Sequence, residues 1–257
     1  MNILYEFKRR VICPIIVLCR HMKGGLIMKK LLLLLSSTIA LSFLIGCAAP
    51  SSGEGTTVES SADAVSSATL SRFREGEIRE YKGANLDPAI GPRDNSIKGV
   101  QHVDISTYSL KVDGLVNTPV DLTYDDVLKL DAYERKITLY CVEGWNATIL
   151  WKGVLLQDVM AKAGIQSGAN TVIFHSVDGY TTSLPLETII SGQLILAYGA
   201  NGLTLPDEMG YPFIFVAEDK QGYKWARWVS EIELSDDPSY QGYWEERGYP
   251  NSGDFVQ

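Results

Sequence analysis

Cys141 and Glu143 are the residues whose types and spacing point most directly to chemistry, because a thiol and a carboxylate stand two positions apart in the segment CVEGW at 141–145. A cysteine thiol can act as a nucleophile, as a soft metal ligand or as an inert buried group. The other three of the four cysteines all lie within the first 47 residues. A disulfide framework in the rest of the chain is therefore excluded, and the three roles for Cys141 remain open.

Simple metal sites and hydrolase sites fit the sequence less well. His102 and His175 could join Cys141 and Glu143 in a zinc or copper site, but the spacing lacks the close ligand pairs typical of such sites. The sequence also has no Gly-x-Ser-x-Gly elbow of a serine hydrolase. A nucleophilic Cys141 would need a base and a lowered pKa, and the neighbouring carboxylate opposes that lowering.

The segment before Cys141 is predicted to be the strand that positions it. Residues 137–140 (ITLY) are β-branched, apolar and aromatic, and alternation places Ile137, Leu139 and Cys141 on one face. Gly144 then permits a tight turn. Cys141 is expected at the end of a rigid strand, where reactive groups are often displayed.

The remaining pattern predicts many strands and a few short helices. Residues 73–99 are expected to form an extended loop, a hairpin is expected to turn at 113–114 into 115–116, and the aromatic segment 240–249 is expected to lie over the domain. Short helices are expected to begin at Thr123, near Leu155 and at Pro185. Strands are predicted at 108–112, 171–177, 180–184, 194–198, 212–217 and 228–234. This mixture indicates a single α+β domain.

The N-terminal region resembles an export signal. Lys29 and Lys30 precede an apolar run at 31–45, and Cys47 ends a segment similar to the lipobox of bacterial lipoproteins. We expect an upstream extension at 1–27, a signal with lipidated Cys47 at 28–47, a flexible Ser/Thr/Gly-rich tether at 48–71 and the folded domain at 72–257. An uncleaved membrane anchor is the alternative, and either places the domain outside the cytoplasm.

The charge of the mature part disfavours nucleic acid as a partner. Residues 1–47 carry seven Lys or Arg and one Glu, so removing this excess of six positive charges from the net charge of −8 leaves −14. Phosphate backbones require clustered basic residues, which so acidic a domain lacks. An anionic ligand would need a local group of bases.

Several motifs in one order resemble the molybdopterin-binding oxidoreductase domain of the sulfite oxidase superfamily. They comprise CVEGW at 141–145, WKGV at 151–154 before an apolar helix, and the segments 112–116, 176–180, 210–216 and 222–234. The resemblance spans about 95–234 and is strongest to the catalytic subunits of periplasmic methionine sulfoxide reductases. It implies a sulfite-oxidase-type fold, a molybdenum-molybdopterin cofactor, and oxygen-atom transfer on a small oxyanion or sulfoxide.

The resemblance also implies roles for individual residues. Cys141 would ligate molybdenum and Glu143 would act as a catalytic acid or proton relay. The cofactor-binding positions that match the family are Asn95, Lys98, Ser176, Lys224 and Arg227, the last two meeting the pterin phosphate. Electrons would pass to a separate membrane or soluble partner, because the haem and dimerisation domains of sulfite oxidases are lacking in this sequence.

Two departures from the family pattern motivate an alternative function. First, Ile214 stands where the family has an arginine. Second, Lys29 with Lys30 suggests export by the Sec route, whereas proteins that fold around this cofactor in the cytoplasm use the twin-arginine route. Arg9 with Arg10 is a poor match to a twin-arginine signal. The alternative is a cofactor-free binding or scaffold lipoprotein that keeps the fold.

Overall fold

The structure is a computed structural model that describes residues 67–91 and 95–255. The predicted export signal, the lipidation site Cys47 and the tether up to residue 66 lie outside the described residues. In the described part no helix has the length and apolar character needed to cross a membrane.

The described residues form short helices and many strands. The helices are α1 (Ser67–Gly76), α2 (Tyr124–Leu128), α3 (Leu156–Ala161) and α4 (Leu186–Ser191). The strands are β1 (Glu80–Tyr81), β2 (Ala84–Asn85), β3 (Leu110–Gly114), β4 (Val120–Leu122), β5 (Ala132–Tyr140), β6 (Asn146–Leu155), β7 (Thr171–Ser176), β8 (Thr181–Pro185), β9 (Ile195–Ala200), β10 (Leu203–Thr204), β11 (Ile214–Val216) and β12 (Val229–Ser235). This composition confirms the α+β prediction.

The first large sheet has the order β10-β9-β6-β5, and β11 also pairs with β9. All its pairs are antiparallel. Gly153 allows the close approach of β6 to β9, because a Cβ atom there would lie 2.3 Å from the Leu196 carbonyl oxygen. The long β5–β6 hairpin carries the turn that holds Cys141.

The second large sheet has the order β4-β3-β12-β7-β8, with β12 parallel to β3 and antiparallel to β7. Buried residues of both sheets form one core. Phe174 on β7 stacks on Phe215 of β11 with ring centroids 4.0 Å apart, which joins the two sheets through their buried faces. The two sheets thus form one rigid support for the loops at their ends.

The helix start at Thr123 was predicted correctly. The Thr123 side chain accepts a hydrogen bond from the Asp126 amide, and the Asp126 carboxylate accepts one from the Thr123 amide, so α2 begins with a capping box. Pro185 directly precedes α4, close to the predicted start, and α3 ends at Ala161 with Lys162 as its C-cap. These signals depend only on neighbouring residues.

Three sequence predictions are corrected by the structure. The helix Ser67–Gly76 occupies the end of the predicted tether and the start of the predicted loop, and Phe73 anchors it in the core. The strand Asn146–Leu155 was not predicted, because its nearly continuous burial hides the two-residue period. The partner of Leu110–Gly114 in the hairpin is Val120–Leu122, since Leu115 instead donates to Leu234 of β12.

Candidate active site

A cavity of about 380 Å³ opens where the ends of β5 and β7 meet the loops that surround β12. Its lining residues come from the segments 89–91, 95–97, 139–149, 176–180, 208–214, 222–228 and 244–249, though not every residue of these segments lines it. Five of the predicted site residues line it: Asn95, Cys141, Glu143, Ser176 and Arg227. Residues predicted from widely separated segments therefore meet in one place.

Cys141 lies directly after the last residue of β5, in a turn that closes on itself. Its amide donates to the Trp145 carbonyl at 2.9 Å, and the Gly144 amide donates to the Cys141 carbonyl at 3.0 Å. Gly144 has a φ of +88°, which a side chain would disfavour. The turn confirms that Cys141 stands at a strand end, and the thiol is half-buried.

The Cys141 sulfur has an amide donor beside it. Asn95 Nδ2 donates to Cys141 Sγ at 3.3 Å. A donor directed at a sulfur stabilises the thiolate more than the thiol, because the anion is the better acceptor. The arrangement favours Cys141 as a thiolate ligand or nucleophile over an inert thiol.

Glu143 lies at the exposed rim of the cavity. Its Oε2 accepts a weak hydrogen bond from Trp145 Nε1 at 3.4 Å. The Trp145 ring is half-buried in the cavity wall and packs near Gly91. A carboxylate in this position can exchange protons between the cavity and solvent.

Ser176 ends β7 and faces the cavity with an unsatisfied hydroxyl. Its Oγ is buried and has no hydrogen-bond partner among the described residues. Buried polar atoms without a partner are rare, and one that lines a cavity indicates a place for a ligand acceptor or donor. Of the predicted binding residues, Ser176 has the clearest structural signature.

The turn after Ser176 places two further polar groups in the wall. Asp178 is buried and its Oδ1 accepts from the Tyr180 amide at 2.9 Å. The Tyr180 hydroxyl donates to the Tyr223 carbonyl. Burial raises the pKa of Tyr180 and the nearby Glu245 charge raises it further, so the phenol stays protonated. Asp178 and Tyr180 were not predicted as site residues, although the Asp-Gly-Tyr turn was visible in the sequence.

Arg227 brings a positive charge to the cavity wall. Its Nη1 donates to the Glu208 carbonyl at 2.8 Å, and its guanidinium carbon lies 4.5 Å from the centroid of the Trp228 ring. Both contacts fix the planar group in place. Gly210 permits this approach, because a Cβ atom there would lie 2.8 Å from Arg227 Cβ.

Lys224 does not line the cavity, and its contact with a cofactor phosphate stays a prediction. The side chain is fully buried, and Nζ donates to Glu245 Oε1 at 2.5 Å and to the Ser183 carbonyl at 2.8 Å. Burial lowers the pKa of Lys224, while the Glu245 charge opposes this effect. The ammonium therefore anchors the C-terminal segment to β8.

Lys98 also lies outside the cavity lining. It is exposed, and its Nζ would lie 3.2 Å from a Cβ atom built on Gly179. This position is beside the turn that follows Ser176, so the cation contributes to the potential near the cavity but lies outside its wall. Ile214 is buried and lines the cavity, which makes the wall apolar at the position where the resemblance leads one to expect arginine.

Aromatic residues of the C-terminal segment complete the wall. Trp244 and Tyr249 line the cavity and contact each other with ring centroids 5.3 Å apart. The Tyr243 amide donates to the Thr181 carbonyl at 2.9 Å, which confirms that segment 240–249 lies over the domain. Its aromatic composition was the only signal in the sequence for this contribution.

The sequence of the chain matches a known protein family. A family described as "Oxidoreductase molybdopterin binding domain" matches residues 97–244. The chain is 36% identical over 152 residues to an "uncharacterized oxidoreductase" of Bacillus subtilis, covering 59% of this chain and 76% of that protein. It is 30% identical to the catalytic subunit of a protein-methionine-sulfoxide reductase of Xanthomonas campestris, covering 53% of this chain and 48% of the subunit.

A solved structure supports the fold. The sulfane dehydrogenase SoxCD of Paracoccus pantotrophus superposes with a TM-score of 0.53 at 19% sequence identity, covering 73% of this chain and 56% of that chain. The chain thus spans about half the length of the reductase subunit and of the dehydrogenase chain. The mixed sheets with few short helices are those of the sulfite-oxidase-type molybdopterin-binding fold, as predicted.

Proposed function

The chain belongs to the family of molybdopterin-binding oxidoreductases, and we propose on this premise that it binds a molybdenum-molybdopterin cofactor through Cys141 and catalyses oxygen-atom transfer on a small oxyanion or sulfoxide. The observation that carries the proposal is the Cys141 sulfur, which lines a cavity and accepts a hydrogen bond from Asn95. The enzyme class follows from the family, and the residue assignments are the proposal.

The residues around the cavity fit such a cofactor. A thiolate is a soft ligand suited to a transition metal. The buried Ser176 hydroxyl has no protein partner in the described part of the chain, and Arg227 offers a fixed cation for an anionic group. Backbone and aromatic surfaces at 222–228 and 244–249 supply the remaining walls. A metal-binding thiolate, a free hydroxyl, a cation and aromatic walls together suit a planar, anionic ligand that carries one metal ion.

The chain's own residues have defined tasks in this proposal. When bound, the cofactor supplies the two-electron chemistry of oxygen-atom transfer. Cys141 holds the metal, and Asn95 orients the thiolate and withdraws charge from it. Glu143, at the rim, accepts or donates the protons that accompany the gain or loss of an oxygen atom as water. Trp145 and Trp244 restrict the entry of solvent.

The wall of the cavity also bears on substrate choice. Ile214, Met209 and the ring of Trp145 give it apolar character, while Arg227 is its positive group among the described residues. An apolar wall suits the carbon substituents of an organic sulfoxide. The relative from Xanthomonas campestris is named for reduction of protein methionine sulfoxide, which agrees with this choice of substrate class.

The proposal places the enzyme outside the cytoplasm, attached to the membrane by lipid on Cys47. It rests on the basic, apolar and cysteine-terminated signal in the sequence. Electrons then reach the site from a separate membrane or soluble partner. Replacing Cys47 by Ala should abolish the incorporation of a labelled fatty acid into the chain without changing its metal content.

Molybdenum analysis tests the function directly. The full chain is expressed in a host that makes the cofactor, and molybdenum per chain and sulfoxide-reducing and sulfite-oxidising activities are measured. We expect close to one molybdenum per chain and its loss in Cys141→Ser. The matched control is Thr138→Ser in β5, which leaves the thiol intact. Metal-free wild-type protein from this host would overturn the proposal and favour a cofactor-free scaffold.

A further inference from the structure

We propose that His175, Glu231 and Glu233 form a binding site for a divalent transition-metal ion, with Zn²⁺ as its test ion. The three side chains lie on the two adjacent strands β7 and β12 of the second sheet. Each offers one ligand atom, and these atoms all lie within 4.8 Å of one another. The site is separate from the cavity, because His175 alternates in direction with Ser176, which lines the cavity.

The strand register explains why the three groups meet. Glu231 and Glu233 are two positions apart on β12 and project from the same face, while the intervening Ile232 enters the core. His175 stands opposite Glu231 in the antiparallel pair β7–β12. Its Nε2 lies 2.9 Å from Glu233 Oε2, so the imidazole already points at the carboxylates. Both strands are interior to the sheet, which fixes the ligands before any ion binds.

A second observation is a buried carboxylate oxygen beside the cluster that has no hydrogen-bond partner among the described residues. Asp113 on β3 stands in register with Glu233, and its Oδ1 is buried without a hydrogen-bond partner in the described part of the chain. Lys111 contacts Asp113 Oδ2 and lies 3.2 Å from Glu231 Oε1, so one positive charge is shared by two carboxylates. Asp113 Oδ2 is paired with Lys111, so Oδ1 is the one oxygen of this carboxylate that an ion or water of the site would satisfy.

The ligand types select the ion. One imidazole nitrogen and two carboxylate oxygens suit Zn²⁺, with water in the remaining position, whereas Ca²⁺ prefers six or more oxygens. The side chains of His175 and Glu233 are 29% and 36% exposed, so an ion can enter from solvent. A bound ion would link β7 to β12 and so brace the strand ends that carry Ser176 and Trp228.

The test is a zinc titration of the full chain with its cysteine thiols alkylated, so that Cys141 does not contribute. Isothermal titration calorimetry and the shift in melting temperature report binding. We expect one zinc site in the wild type, and its affinity should fall about tenfold or more in His175→Gln. His102→Gln is the matched control, because His102 contacts Asp207 elsewhere and its loss should leave the affinity unchanged.

The variant Lys111→Met distinguishes a metal-binding site from a network of salt bridges that binds no metal. Removing the competing ammonium should tighten zinc binding by about fivefold, since a nearby unit charge no longer repels the ion. A salt-bridge network without a metal function would bind no zinc in either protein. Equal zinc affinity in wild type and His175→Gln, or no gain in Lys111→Met, would overturn the proposal.

Discussion

The side-chain amide of Asn95 donates a hydrogen bond to the sulfur of Cys141, with 3.3 Å between Nδ2 and Sγ, across 46 positions of sequence. This contact joins the segment that begins at Asn95 to the turn at the end of β5. The hydrogen bond holds the Cys141 sulfur in place without a bound ligand. Asn95 is therefore the residue that positions the proposed metal ligand Cys141.

Replacing Asn95 by Leu should raise the pKa of the Cys141 thiol, because the thiolate would lose a hydrogen-bond donor. The measurement is the pH dependence of Cys141 alkylation in the cofactor-free chain, with the modified peptide identified by mass spectrometry. Asn146→Leu, at the exposed start of β6, is the control and should leave the profile unchanged. A profile in Asn95→Leu that matches the wild type would show that the contact does not activate the thiol.

Replacing Ser176 by Ala should weaken cofactor binding without lowering the stability of the fold. The Oγ atom has no protein partner in the described residues, so its removal should leave the free energy of unfolding within about 0.5 kcal/mol of the wild-type value or increase it. Retention of the cofactor should fall, because the hydroxyl is proposed to contact it. The measurements are urea unfolding of the cofactor-free chain and molybdenum content after purification. Loss of stability together with unchanged molybdenum would reverse this assignment.

Replacing Lys224 by Met should destabilise the chain by about 3–5 kcal/mol, because it leaves the Glu245 carboxylate buried without its cation. The double variant Lys224→Met with Glu245→Leu should recover most of the loss. Lys220→Met is the matched control: its partner Asp254 is largely exposed, and this pair should contribute less than about 1 kcal/mol. Urea unfolding of wild type, these variants and the single variant Glu245→Leu measures the coupling between Lys224 and Glu245. Equal losses in the Lys220 and Lys224 variants would contradict a buried ion pair.

The capping box of α2 should make part of the stability depend on pH. Hydrogen bonds from Lys129 and Thr123 lower the pKa of Asp126 to about 2, below the value of about 3.9 in unfolded chains. A lowered pKa stabilises the folded state above pH 4, and this contribution is lost as the pH falls towards 2. The stability difference between wild type and Asp126→Asn should therefore shrink from pH 6 to pH 3, as measured by urea unfolding. A constant difference would exclude this role.

Replacing Thr123 by Ala tests the other half of the same capping box. The Asp126 amide would lose its side-chain acceptor, and the cost should be about 1 kcal/mol at neutral pH. Thr118→Ala, at an exposed position before β4, serves as the control. The prediction fails if the two variants unfold at the same urea concentration.

Local patterns predicted much of the fold, and their failures have physical causes. The strands at Thr171–Ser176 and Thr181–Pro185 were found because a turn signal separates two apolar runs. The strand Asn146–Leu155 was missed because it is buried on both sides and so shows no alternation. The helix Ser67–Gly76 was missed because one buried residue, Phe73, holds it to the core, and a single contact leaves no periodic signal.

The sequence by itself determined that Cys141 stands at the end of a strand, because the apolar run before it and Gly144 after it are local signals. It also supplied the motif order that led to the family. Only the tertiary structure decided which polar residues reach the thiol and its cavity. Asn95 and Ser176 reach them, whereas Lys224 is held by Glu245, a partner 21 positions away. A sequence motif records the type of a charged side chain, but its direction depends on partners that the fold brings from distant segments.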